Sequence, residues 1–261
     1  MRKIIIIAAI LALAVFASAQ TLEEYIRMGD EAFAAFDDQK ALEYYLEAIK
    51  LDPQNYEALW KASRAYVDVA DLMRPTDKES RDRQMKLYVQ GTSLARKAVA
   101  VNPNDTWGHF QLAAANGMRL LMLSKKQQIE ASKDVRDSIE KAIALDPAND
   151  LAYHAFGRWH RRMAEIGGAK RFFGSIIYGS IPKGSMAESE KYLQKAVELR
   201  PDYANHYLEL GRTLVALKKF DQAEEAFKKC LELPKSTSND HLLKEEAQAE
   251  LDKLKSPGKK K

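Results

Sequence analysis

The sequence predicts an all-α protein, a solenoid of about five antiparallel helix pairs closed by a C-terminal cap helix. Three observations carry this. The stretches "AIKLDPQN", "AVAVNPND", "AIALDPAN" and "AVELRPDY" place Pro53, Pro103, Pro147 and Pro201 in near-identical settings, each five residues after an alanine: Ala48, Ala98, Ala142 and Ala196. A proline there ends one helix and forces an extended residue before the next. Small residues then recur in phase eight positions into each following segment, at Gly29, Ser63, Ala113, Gly157 and Gly211, where a larger side chain would prop two helices apart. Finally, the residues between these marks keep helical character even where the spacing exceeds one repeat.

Taken along the chain, residues 1–19 stand outside the fold. Arg2 and Lys3 precede an apolar run from Ile4 to Phe16, and Ala17-Ser18-Ala19 follows with small residues, the pattern of a cleaved secretory signal. The run is short for a membrane span, which takes about 20 residues, although a retained anchor stays open. The expectation is an exported chain, periplasmic or secreted, cleaved near Ala19. Losing Arg2 and Lys3 lowers the formal charge from +4 to +2, a balance that argues against a dedicated nucleic-acid binder.

Residues 20–255 form the expected repeat domain. The first pair carries Tyr25, Gly29, Ala41, Tyr45, Ala48 and Pro53, and the last carries Tyr207, Gly211, Ala223 and Phe227. Together these positions match the 34-residue tetratricopeptide pattern. In the middle the prolines lie 50, 44 and 54 residues apart, well beyond 34. In the second and third pairs the excess reads as lengthened helices: "YVDVADLM", a turn at Pro75, then "KESRDRQMKLYVQGTSLARKAVAV". Shared between both helices of each pair, it adds about one and a half to two turns to each. The fourth pair holds an insertion instead, "GGAKRFFGSIIYGSIPKGS", where Phe172, Phe173, Ile176, Ile177 and Ile181 mark one apolar face of a short helix between flexible ends. It is expected to be an apolar plug in the fourth pair. "NDHLLKEEAQAELDKL" reads as the cap helix, started by Asn239 or Asp240. Residues 256–261 are expected to be a basic disordered tail, and its lysines leave a peripheral contact with anionic membrane open.

No motif in the chain carries chemistry. The five histidines include no pair at helical spacing and no H-E-x-x-H, and no P-loop or nucleophile elbow is present. The single cysteine, Cys230, lies on an apolar stripe with Phe227 and Leu231 and is expected to be buried. No catalytic residue, metal or cofactor is expected. Trp60, Trp107 and Trp159 read as packing residues that could also line a concave surface.

"ALWKASRAY", "NPNDTWGHFQLAAANG", "ALDPANDLAYHAFGRWHRRMAEI" and "FFGSIIYGSIPKGSMAESEKYLQKAVELRPDYANHYLELG" carry a more specific likeness. From about residue 56 to 234 the chain resembles the regulator of microtubule dynamics family, including the repeat domain of its mitochondrial outer-membrane member. The resemblance implies an all-helical domain with lengthened middle helices and, for the mitochondrial member, binding and transfer of phospholipids such as phosphatidic acid. The secretory signal places this chain away from microtubules, so the cytoskeletal role is not expected to carry over.

Two functions follow. One is a non-enzymatic exported scaffold holding a protein or peptide in its concave groove. The other is a soluble lipid-binding or phospholipid-transfer module with an apolar cavity near residues 159–181, taking an anionic phospholipid or fatty acid. For that cavity Trp159, Phe172, Phe173 and Ile177 are the expected apolar wall, and Arg161, Arg162, Lys170 and Arg171 the expected head-group contacts.

Overall fold

A computed structural model describes residues 20–178 and 181–255, with the side chains at 169, 170, 177 and 178 outside that description. The signal segment and basic tail read from the sequence therefore lie outside the described residues. These form twelve helices and no strand: α1 Leu22–Ala34, α2 Asp38–Leu51, α3 Tyr56–Asp71, α4 Lys78–Val101, α5 Thr106–Leu120, α6 Lys125–Leu145, α7 Asp150–Ala164, α8 Gly168–Tyr178, α9 Met186–Leu199, α10 Ala204–Ala216, α11 Phe220–Glu232 and α12 Asp240–Lys255. The chain is a tetratricopeptide-type solenoid. Its five pairs are α1/α2, α3/α4, α5/α6, α7/α9 and α10/α11, with α8 inserted in the fourth and α12 packed on α10 and α11 as the cap.

The repeated Asx-Pro signature has a plain local mechanism. Asp52, Asn102 and Asp146 each end a helix and accept a hydrogen bond from the backbone N–H two residues on. Asn55, Asp105 and Asn149 then cap the next helix, accepting from Ala58, Trp107 and Ala152 N–H respectively. One four-residue turn thus satisfies backbone groups of both helices it joins.

Most of the extra length in the middle pairs lies in one helix of each. The second helices α4 and α6 run for 24 and 21 residues, whereas α3 and α5 have 16 and 15. The expectation of evenly shared extension is corrected by Pro75 and by the Asp77–Ser80 capping box that starts α4. These set the turn early and leave the added residues after it.

The recurring small positions are sites of closest helix approach. Gly29, Gly157 and Gly211 are buried, Ser63 is fully buried and donates to Gly91 O at 2.8 Å, and Ala113 is 2% exposed. A Cβ built on Gly211 would run into the ring of Phe227, itself fully buried. Gly211→Ala is therefore expected to cost about 1–3 kcal/mol, since the ring has nowhere to move. Gly168, with nothing within 4 Å of a built Cβ, supplies the comparison: Gly168→Ala should stay within about 0.5 kcal/mol of the parent. Chemical denaturation of both variants checks the pair. Cys230 is buried in the C-terminal core with Phe227 and Leu208, and burial pushes its thiol up to about 11.

The two ends of the superhelix meet. Ser238, in the segment before α12, donates to the Asp38 carboxylate at the start of α2. Lys235 sits 4.3 Å from the centre of the Phe36 ring, and Arg74 pairs with Glu245 at 3.2 Å. Phe36 takes a left-handed conformation, φ 62°, at the C-terminal end of α1 where glycine is usual. A strained non-glycine residue there places an aromatic ring where the last repeat can reach it.

Candidate functional site

The ring so closed surrounds a cavity of about 840 Å³. One side is apolar. Phe110, Leu120, Val135, Ile139, Trp159, Met163, Ile166 and Ile181, from α5, α6, α7 and the segments before and after α8, build it. The other side is polar, where α2 and α3 bring Asp38, Arg64, Asp68 and Asp71 opposite His154, Arg158, Arg162, Arg200 and Tyr203 from α7 and the turn between α9 and α10. Trp107 also lines the cavity and stacks on Trp60 at 5.2 Å with their planes 16° apart.

The polar side is electrostatically tense. Burial raises Asp68 well above the usual carboxylate range, with Asp38 and Asp71 adding to the effect. No hydrogen bond or ion pair to its carboxylate is found among the described residues. Burial likewise raises Asp71 to about 6, against the lowering effect of the Tyr88 hydroxyl that donates to it at 2.7 Å. Arg64 is spread over the Phe33 ring at 3.5 Å, and its Nε is buried without a partner.

Arg158 and Arg161 belong to a buried ion cluster around Glu209. The Glu209 side chain is 4% exposed, and Arg161 donates to it directly, with Arg158 at 3.5 Å and Arg212 at 3.1 Å. Burial alone would raise this carboxyl, but the three guanidiniums hold it far below the usual range. Arg162 makes no ion pair among the described residues. Burial and the like charges of Arg158 and Arg161 lower its affinity for its own proton.

Beside this cluster lies a hydrogen-bonded chain. His206 Nε2 donates to Asp150 Oδ2 at 2.9 Å, and His154 Nδ1 meets His206 Nδ1 at 3.0 Å. Both histidines are held below the usual range, first by burial.

The residues expected to form the binding site divide. Trp159 is buried in the cavity wall, and its Nε1–H donates to Ser132 O at 2.9 Å. Arg162 lines the cavity. Arg161 is instead committed to Glu209 and Glu165. Arg171 does not face the cavity: its guanidinium donates to the backbone carbonyls of Met163 and Pro182, mooring α8 to the end of α7. Phe172 and Phe173, each 64% exposed, and Ile176, 69% exposed, point outward, so the expected plug is corrected to a helix lying on the rim. The physical reason is local. Ile181 occupies the apolar site beneath α8, where a Cβ on Gly174 would come within 2.8 Å of it, leaving no room for the phenylalanines. The side chains of Lys170 and Ile177 lie outside the described residues.

Sequence reasoning missed Asp68, His154 and Arg158. The spacing of His154, Arg158 and Arg162, four residues apart on one helix face, was the available signal.

A family model described as regulator of microtubule dynamics protein 1-3 matches residues 25–255. Regulator of microtubule dynamics protein 1 of Caenorhabditis elegans is 23% identical over 217 residues, covering 83% of this chain and 93% of the relative. The Bos taurus protein of the same name is 25% identical over 227 residues, covering 87% and 70%. Among solved structures, a thermophilic TPR protein of Thermus thermophilus superposes with a TM-score of 0.64 at 16% identity, covering 88% of this chain and all of that one. The Pseudomonas aeruginosa pilF protein gives 0.52 at 14% identity, with 89% and 86% covered. These structural likenesses concern the fold.

Proposed function

Because the chain belongs to the regulator of microtubule dynamics family, whose helical-repeat fold is that of a non-enzymatic interaction scaffold, we propose that its cavity holds one amphiphile. The ligand is a phospholipid or fatty acid, its chain against the Val135–Ile139–Trp159 wall and its anionic end toward Arg158 and Arg162. One observation carries this reading: a cavity of about 840 Å³ whose lining is apolar on one side and polar and charged on the other, with Arg158 and Arg162 of α7 across from the carboxylates of α2 and α3. Sites for small molecules span about 300–1,000 Å³ and are mostly apolar with a few placed polar groups. The contact between Asp38 and Ser238 closes the ring that an open peptide groove would leave apart. The lipid binding implied by the resemblance of the repeats points the same way. The N-terminal signal pattern supports a site of action outside the cytoplasm.

Native mass spectrometry of the protein purified from its own host, with organic extraction, tests the proposal. A stoichiometric phospholipid or fatty acid is expected. An unliganded mass that persists after incubation with anionic liposomes would overturn it, and a co-purifying peptide in the cavity would favour the protein-scaffold alternative.

A further inference from the structure

His154 is 6% exposed, lines the cavity, and has a hydrogen-bond partner on one ring nitrogen only. Its other nitrogen, Nε2, has no partner among the described residues. The buried side-chain polar atoms left without one are Arg64 Nε, His160 Nδ1 and Arg161 Nε. His154 Nε2 is not among them, which leaves it open to the cavity.

The state of that nitrogen follows from the chain behind it. An Asp150 carboxylate only accepts, so the proton of His206 sits on Nε2, where the 2.9 Å contact is. His206 Nδ1 is then a bare acceptor, and the 3.0 Å contact requires His154 Nδ1 to carry the proton. His154 Nε2 is thereby left as a lone pair. A carboxylate two residues removed sets the polarity of an atom in the cavity.

His154, Arg158 and Arg162 share one face of α7 at four-residue steps, each step a rise of about 6 Å. Arg162 has no anionic partner among the described residues. Arg158 Nε lies 3.5 Å from Glu209 Oε1. The stripe therefore offers cations followed, about one turn away, by an acceptor.

We propose that His154 Nε2 selects the ligand, accepting a hydrogen bond from a hydroxyl that lies next to a phosphate held by Arg158 and Arg162. The favoured class is a hydroxylated phosphate amphiphile, over one with the phosphate alone. A ligand that fills the cavity around this acceptor without supplying a donor leaves it unpaired, which discriminates sharply.

This inference rests on the amphiphile reading, and two probes separate them. Hexadecyl phosphate carries a chain and a phosphate. Palmitoyl lysophosphatidic acid adds a free hydroxyl beside the phosphate. By isothermal titration, the protein stripped of ligand should bind the second about tenfold more tightly. In His154→Phe, which keeps a ring and removes the acceptor, that ratio should fall to about one. Without any substitution, the ¹⁵N resonance of His154 Nε2 should move on adding lysophosphatidic acid and stay in place with hexadecyl phosphate. Equal affinities in the parent protein, an unmoved resonance, or a ratio surviving in His154→Phe would overturn the role of His154 and leave the amphiphile reading intact. Failure of both probes to bind would overturn both.

Discussion

Glu209→Ala is expected to lower the unfolding free energy by about 3–5 kcal/mol, the range for removing one partner of a buried ion pair. The carboxylate is 4% exposed and faces Arg158, Arg161 and Arg212, so its loss leaves three guanidiniums without their common counter-charge. The damage spreads across elements. Arg158 and Arg161 lie on α7, Glu209 and Arg212 on α10, and Arg212 continues to Glu246 of α12 at 2.7 Å. The fourth pair, the fifth pair and the cap are joined through this one acid. Glu209→Gln keeps the shape but not the charge, and should also be strongly destabilised.

The cluster carries a pH signature. The folded state holds the Glu209 carboxyl far below its ordinary value of 4.5. A depressed folded value contributes stability that is present above the unfolded pKa and is lost as pH falls toward the folded one. Thermal midpoints of the parent protein should therefore fall as pH drops below about 4.3, and the alanine variant should lack that part of the slope. A Glu209→Ala variant within about 1 kcal/mol of the parent would show that the arginines find other partners.

Ala155→Trp should weaken amphiphile uptake by about 10–100-fold, the equivalent of an overpacking penalty of about 1–3 kcal/mol placed on the ligand rather than on the core. Ala155 lies on α7 in the cavity wall, between Phe110 on one side and Trp159 on the other. An indole there occupies the volume that a chain would fill. The fold can tolerate the change because the added atoms enter empty space, so the thermal midpoint should move by only a few degrees. Ile176→Ser provides the contrast. It removes an exposed apolar side chain from α8, 69% accessible, without altering the cavity lining, and should leave uptake unchanged. Retained uptake in Ala155→Trp, with loss in Ile176→Ser, would move the binding site to the outer surface of α8.

The insertion shows where sequence reading stopped. Helical spacing correctly implies a short helix with an apolar face at 172–177. Periodicity, however, states only that one face is apolar. Ile181, beyond the helix, takes the inner position, and Arg171 ties the helix down by carbonyl contacts that no motif encodes. The same limit applies to Arg161. From the sequence it is a cation near the insertion; in the fold Glu209, 48 residues later, claims it.

The elements were legible in the residues alone. Helices end where Asx-Pro turns and caps act within four residues, faces pack where small residues recur in phase, and Cys230 is buried because it sits on an apolar stripe. The cavity and its chemistry arise only once the superhelix is assembled. His154 meets His206 across 52 residues and Asp38 meets Ser238 across 200. Such contacts depend on how many pairs complete the turn of the superhelix. That is a sum of small rotations between neighbouring repeats, and no local stretch of residues records it.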